Sequence, residues 1–404
     1  MIDLLVKDNK MRFAMAPPFP RSEYEDRLAR VRASLEAKGL DALVIGDPSN
    51  INWLTGYDAW SFYTPQIMVV GTELDPTWIG REMDAGAAKF TTYLRPEQIV
   101  GFPEPLVQRP DTHPAVFMAD WMKGAGLDGK RIGHESDVYY FSYAATNHLK
   151  AGLPNARWQD ADLLVNWVRV VKSPAELAYM RQAATIARKV MQVAYDGCAP
   201  GVRQCDLMAE VSAAQIRGTP EFGGDMPAIH PLVLAGEAAS TAHPMWTDEP
   251  FQAGQIIAFE LGACRKRYNA GLARTVSLGP QTPGLITTAD AVNEGMEAVV
   301  STLRAGVPCQ DVHAAWQAVL DRYGLEKKSR IGYSIGVNYA PDWGEHTLSF
   351  RPGDTTPVPE NAVVHIILGM WMDDWGMEVS ETIHVRANDA VCLTQFPREV
   401  HVKG

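Results

Sequence analysis

Apolar positions recur along this chain at two different periods, and the alternation between them outlines its folding units. Leu28, Val31 and Leu35 share one helical face, Glu25 stands three residues after Ser22 as in a capping box, and Gly39 offers a stop. A helix from Ser22 to Gly39 is therefore predicted. Ala42–Ile45 is a short continuous apolar run that reads as a buried strand, ending in the turn-rich residues 47–50. Further strands are predicted at Gln66–Val70 and Arg131–Gly133, and their alternation with helical segments points to an α/β unit through about residue 165. Residues 1–20 read as an extended arm ending in Pro-Pro-Phe-Pro.

The clearest boundary is Lys172-Ser173-Pro174-Ala175-Glu176, where Ser173 can cap, Pro174 suits the first helical position and Glu176 can close the box. Leu177, Met180, Ala184 and Ala187 carry the long helix that follows toward Tyr195. Other helices are predicted at Gln204–Arg217, Thr287–Ala305 and Gln310–Tyr323, with strands at Ile256–Leu261, Ala273–Leu278, Ala362–Leu368 and Thr382–Val385. Two antiparallel strand pairs flanked by helices make this half an α+β domain. Two domains are expected, residues 1–168 and 169–404, which also suits a chain of 404 residues.

Composition narrows the partners. A net charge of -11 argues against a broad nucleic-acid surface, and no stretch approaches a membrane span. No apolar export segment is evident near Met1. The five cysteines are scattered without a CxxC pair, so a zinc knuckle or redox motif is not expected, and a reducing cytoplasm is the expected location.

Two residues carry candidate chemistry. Glu260 interrupts the apolar strand Ile-Ile-Ala-Phe-Glu-Leu on the face shared by Ile256 and Ala258, and a carboxylate there is costly unless paired, liganded or used. Its structural alternative is a bond to Arg274 on the next strand. His243, in Ser-Thr-Ala-His-Pro-Met-Trp, has an imidazole suited to moving protons near neutrality. Gly332-Tyr333-Ser334-Ile335-Gly336 fits the GxSxG pattern, but Pro341 and Gly344 discourage the helix a nucleophile elbow requires. The glycines are better explained by close backbone packing beside a pocket.

Around these residues the C-terminal half resembles the creatinase/aminopeptidase P/methionine aminopeptidase family, and the resemblance covers about residues 20–402. It implies an N-terminal α/β creatinase-type domain followed by a pita-bread catalytic domain, α+β overall. The family's D-L-G strand motif stands here as Glu260-Leu261-Gly262, and its S-D-x-x-R-T strand as Ala270-Gly271-Leu272-Ala273-Arg274-Thr275. The positions that bind two metal ions in the family's peptidases thus fall on Glu260, Gly271, Tyr333, Ile367 and Ser380, the last beside Glu381. One acidic position of five cannot build such a cage, so no metal and no cofactor are expected.

Within the family, Asn52–Tyr63, Gly223–Ile229, Pro341–Glu345 and Arg351–Asp354 resemble the members that open the cyclic amidine of ectoine. The resemblance implies Glu260 and His243 as catalytic residues, N-acetyl-diaminobutyrate as product, and hydroxyectoine as a further candidate substrate. Asp225, Asp342, Trp343, Glu345 and Tyr333 are the expected pocket residues. Trp60, Phe62 and Tyr63 are expected to reach the neighbouring subunit's pocket in a homodimer, with a deacetylase acting downstream. Competing expectations are a creatinase-like amidinohydrolase, a metal-dependent Xaa-Pro peptidase and a non-catalytic binding protein on the same fold.

Overall fold

A computed structural model describes residues 16–404, in two compact units that divide between Arg169 and Val170. Residues 1–15 of the expected arm lie outside the described residues.

In the first unit, α1 (Arg21–Lys38) starts one residue before Ser22, after the extended Pro20, and Gly39 ends it in the left-handed conformation. The expected capping box does not form, because Glu25 instead accepts a bond from Arg21 one turn back, at 2.8 Å. Strand β1 (Ala42–Ile45) leads into α2 (Pro48–Thr55), where a turn was expected. Asp47 accepts from the Ser49 N–H at 2.8 Å and Pro48 occupies the first position, so the turn-forming residues act as a helix start. The unit continues through β2 (Ile67–Gly71), β3 (Thr77–Arg81), α3 (Glu82–Thr91), β4 (Ile99–Phe102), α4 (Pro114–Gly124), β5 (Arg131–His134), α5 (Tyr143–Gly152), β6 (Arg157–Asp160) and α6 (Leu164–Arg169). Its mixed sheet has the order β4-β3-β2-β1-β5-β6, parallel at β3/β4, β1/β5 and β5/β6.

The second unit opens on α7 (Pro174–Gly197), and here the capping box forms in both directions between Ser173 and Glu176. It continues with α8 (Gln204–Arg217), β7 (Leu232–Ala235), β8 (Ile256–Arg265), β9 (Tyr268–Leu278), α9 (Pro283–Thr302), α10 (Cys309–Tyr323), β10 (Gly332–Ile335), β11 (Gly344–Ser349), β12 (Val363–Trp371), β13 (Gly376–Val385), β14 (Ala390–Cys392) and β15 (His401–Lys403). The strands at 256, 273 and 382 are longer than the apolar runs suggested. Their extensions are buried on both faces, so they carry no alternating pattern.

One sheet has the order β15-β9-β8-β7 and the other β11-β10-β12-β13-β14. Lys266 and Arg267, both with positive φ, form the two-residue turn of the β8–β9 hairpin. The sheets are stitched along β9 and β13: Gly271 N–H donates to Thr382 Oγ1, Ala273 N–H to Ser380 Oγ and Thr275 Oγ1 to the Glu378 carbonyl. That seam brings residues of β8, β10, β12 and β13 to one cavity. No helix of the described residues is long and apolar enough to cross a membrane.

Candidate active site

The cavity has a volume of about 320 Å³. Glu260 enters it from β8, Tyr333 from β10, Ile367 and Trp371 from β12, and Glu378 from β13. Ala242 and His243 come from the loop after β7, and Ser329 and Arg330 from the loop before β10.

Glu260 is buried and makes no side-chain hydrogen bond or ion pair among the described residues. Arg274, its sequence-level structural partner, is spent elsewhere. It donates to Glu381 at 2.6 Å and to the carbonyls of Ala273, Ser380, Phe396 and Pro397. Burial pushes the Glu260 carboxyl well above the ordinary glutamate range, and the Glu378 and Asp342 carboxylates push it further. A buried carboxylate that lines a cavity without a partner makes Glu260 a candidate for ligand contact. His243 sits at the exposed side with φ 70, a strained conformation for a non-glycine residue, and is followed by Pro244.

The positions matched to metal ligands are filled by an aromatic and hydroxyl network. Gly271 lies directly opposite Gly262 across the β8–β9 pair. A Cβ on Gly271 would come within 2.8 Å of His365 and 3.1 Å of Trp343, and one on Gly262 within 2.4 Å of Trp343. His365 Nε2 is 2.7 Å from Ser380 Oγ and its Nδ1 is 3.3 Å from the Tyr333 hydroxyl, which also accepts from Trp343 Nε1 at 2.9 Å. Burial drives His365 down to about 3, so the ring is neutral, and burial likewise keeps the Tyr333 phenol protonated. Glu381 points away from Ser380's side of the strand into its pair with Arg274. Among the described residues no group of three His, Cys, Asp or Glu is placed to hold a metal ion.

The remaining expected residues separate. Asp342 sits close enough to influence Glu260. Burial raises its carboxyl, but bonds from His346 and the Gly344 N–H outweigh that and leave it below the ordinary value. Trp343 forms part of the wall behind Tyr333 rather than the cavity lining. Glu345 is away from the lining, in a buried ion pair with Lys172 at 2.6 Å, packed where Gly336 has no side chain. Asp225 accepts from the Lys266 N–H at the hairpin turn, the far end of β8 from Glu260.

Trp60, Phe62 and Tyr63 belong to the first unit. Phe62 lies between the rings of Trp60 and Tyr140, with centroids at 4.6 and 4.7 Å, and the exposed Tyr63 accepts from Arg81. Ser334 of the GxSxG string is buried in β10, bonded to Thr347, with no helix after it.

Glu378 and Arg330 escaped the sequence reading. Glu378 stands in a strand of mixed character, Gly-Met-Glu-Val-Ser-Glu-Thr, without the apolar setting that marks Glu260, two residues before the matched position, Ser380. Arg330 ends the run Lys-Lys-Ser-Arg, which resembles a solvated loop. Its guanidinium lies over the Tyr333 ring, 4.6 Å from the centroid; it makes no hydrogen bond or ion pair among the described residues, and its charge helps hold the Asp342 carboxyl down.

Comparison with known proteins places this site in a family. The model of metallopeptidase family M24 matches residues 178–387, and that of the creatinase/prolidase N-terminal domain matches residues 27–171. The chain is 40% identical over 393 residues to the ectoine hydrolase of Halomonas elongata, covering 96% of this chain and 98% of that protein. It is also 40% identical to an uncharacterized hydrolase/peptidase of Sinorhizobium fredii over 387 residues, 95% of this chain and 98% of that one. A prolidase crystal structure from Thermococcus sibiricus superposes with a TM-score of 0.82 at 19% identity, covering 94% of this chain and 99% of that one.

Proposed function

The chain is a hydrolase that belongs to metallopeptidase family M24 and carries a creatinase/prolidase N-terminal domain, and from that premise we propose that it opens the cyclic amidine of ectoine without a metal ion. The observation that carries this reading is the state of the family's metal-ligand positions. The residues present do not fit a metal pair: Gly271's side-chain space is taken by His365 and Trp343, and Ser380 is bonded to His365. Beside that filled space, Glu260 lines a cavity that also holds Arg330, and neither makes an ion pair among the described residues.

Ectoine is a zwitterion with a flat amidinium and a carboxylate. Arg330 is the group suited to its carboxylate, at the opposite charge from Glu260. The amidinium carbon is already electrophilic, so a Lewis acid has little to add. Glu260 supplies the nucleophilic oxygen, its own or that of a water it positions, and a C–O bond forms at this carbon. The ring C–N bond then breaks with its electron pair on nitrogen, which takes a proton. His243 moves protons for this departure and for the water that completes the hydrolysis. The products balance as one water added, giving an amide and an ammonium group, N-acetyl-diaminobutyrate.

Among the other expected residues, Asp342, Tyr333 and Trp343 set the charge and shape of the wall. Trp60, Phe62 and Tyr63 are proposed to contact substrate from a second copy. The test is mass spectrometry of metal-depleted protein incubated with ectoine, hydroxyectoine, creatine or an Xaa-Pro dipeptide. Ring-opened ectoine is expected. Activity restricted to creatine or to the dipeptide, or abolished by metal removal, would overturn the proposal.

A further inference from the structure

The cavity holds a second buried carboxylate that the reaction above does not use. Glu378 is 2% exposed, lines the same cavity as Glu260, and its Oε2 has no hydrogen-bond partner among the described residues. Its backbone is fixed on both sides by Thr275, which donates to its carbonyl and accepts from its N–H, so the side chain is aimed by the strand seam rather than by chance.

The charged and titratable groups around this pair can be accounted for. Lys327 stands behind Glu378, donating to the Gly369 carbonyl at 2.7 Å and resting on the Trp371 ring at 4.2 Å. Asp342 is occupied by His346 and Gly344, and Tyr333 is neutral. His243 faces the cavity from its exposed side, and Arg330 from the loop before β10. Arg330 acts on Tyr333 and Asp342 rather than on either glutamate, and Lys327 offsets one of the two, so one buried negative charge is left over. Without a ligand, a proton is the available counter-charge.

We propose that Glu378 and Glu260 form a two-jawed clamp for the amidinium cation, and that the arriving cation displaces a proton the two carboxylates share in its absence. A delocalised amidinium presents N–H donors on either side of its carbon, so two carboxylates can accept from it where a protein donor is lacking. Glu260 therefore becomes an ionised nucleophile only when substrate is bound. Burial pushes Glu378 up to about 7 against the pull of Lys327, and burial first and the Glu378 carboxylate second raise Glu260. The identity of the cation rests on the ring-opening reading; the clamp can be tested apart from it.

The probe is acetamidinium, which has the cation but no ring to open. Calorimetry at pH 7 in two buffers of different ionisation enthalpy should count roughly one proton released per cation bound by the wild-type protein, and measurably fewer for Glu378→Gln, where burial alone still holds Glu260 up. In Glu378→Gln the KM for ectoine should rise about 10- to 100-fold. The acid limb of kcat/KM, set by ionisation of Glu260, should move to lower pH as its negative neighbour disappears. Lys327→Met provides an opposite displacement: with the cation gone the shared proton is held more tightly, and the limb should move to higher pH.

Acetamidinium that fails to bind, binds without proton release, or releases the same proton from Glu378→Gln overturns the clamp, whatever the protein does to ectoine. Proton-linked binding of acetamidinium by a protein that leaves ectoine intact would uphold the clamp and overturn the ring-opening reading.

Discussion

Replacing Gly271 with alanine puts a methyl group where the family's second metal-binding aspartate would start. Its Cβ would lie 2.8 Å from Cε1 and 2.9 Å from Nε2 of His365, and 3.1 Å from Cζ2 of Trp343. Ordinary carbon contacts are about 3.5–4.0 Å, so at least one ring must retreat. Neither is free to do so. His365 is tied to Ser380 at 2.7 Å and to Tyr333 at 3.3 Å, and Trp343 is tied to Tyr333 at 2.9 Å while resting on Gly262. Overpacking by a single methyl costs about 1–3 kcal/mol in a core this constrained. Losing the His365–Ser380 bond would add about 1 kcal/mol. At roughly 2–4 °C per kcal/mol for a unit of this size, the melting temperature should fall by several degrees to about 15 °C. Urea denaturation followed by tryptophan fluorescence measures the loss, and a cycle with His365→Ala assigns it. Removing the imidazole should make the extra methyl nearly free, a coupling of about 1 kcal/mol or more. A Gly271→Ala protein as stable as wild type, or a cycle with no coupling, would mean that the rings do not fill the ligand space.

Three further outcomes address the reaction. Glu260→Gln should lower kcat for ectoine opening by at least about 100-fold while leaving the fold unchanged, since no hydrogen bond of Glu260 is lost; near-normal turnover would remove it from the mechanism. His243→Ala should also cost about 100-fold in kcat, checked by steady-state assay and by far-ultraviolet circular dichroism of the same sample. Arg330→Met should raise the KM for ectoine about 10- to 100-fold yet leave acetamidinium affinity within a few-fold, because only ectoine carries the carboxylate; equal loss for both ligands would contradict that assignment.

What could be read from the amino-acid order follows from how local each signal is. Ser173, Pro174 and Glu176 announce a helix start through contacts within four residues, and the reciprocal box forms. Asp47-Pro48-Ser49-Asn50 carries equally local signals that suit a turn or a helix start, and only the continuation through Ile51 and Leu54 into the core selects the helix. Glu260 was detectable because its neighbours in the strand are all apolar. Glu345 and Glu378 look alike at that level, yet one is neutralised by Lys172, 173 residues earlier, and the other opens into the cavity. Long-range contacts make that distinction: Lys172 meets Glu345, whereas alternation along β13 sends Glu378 and Ser380 to one side and Glu381 to the other. The residues at the matched positions hold one another in place. Gly271 makes room for His365, Ser380 and Tyr333 hold His365 by hydrogen bonds, and Tyr333 also anchors Trp343 over Gly262. An aspartate placed at Gly271 alone would be buried against the rings of His365 and Trp343 with no cation among its neighbours, which is unfavourable.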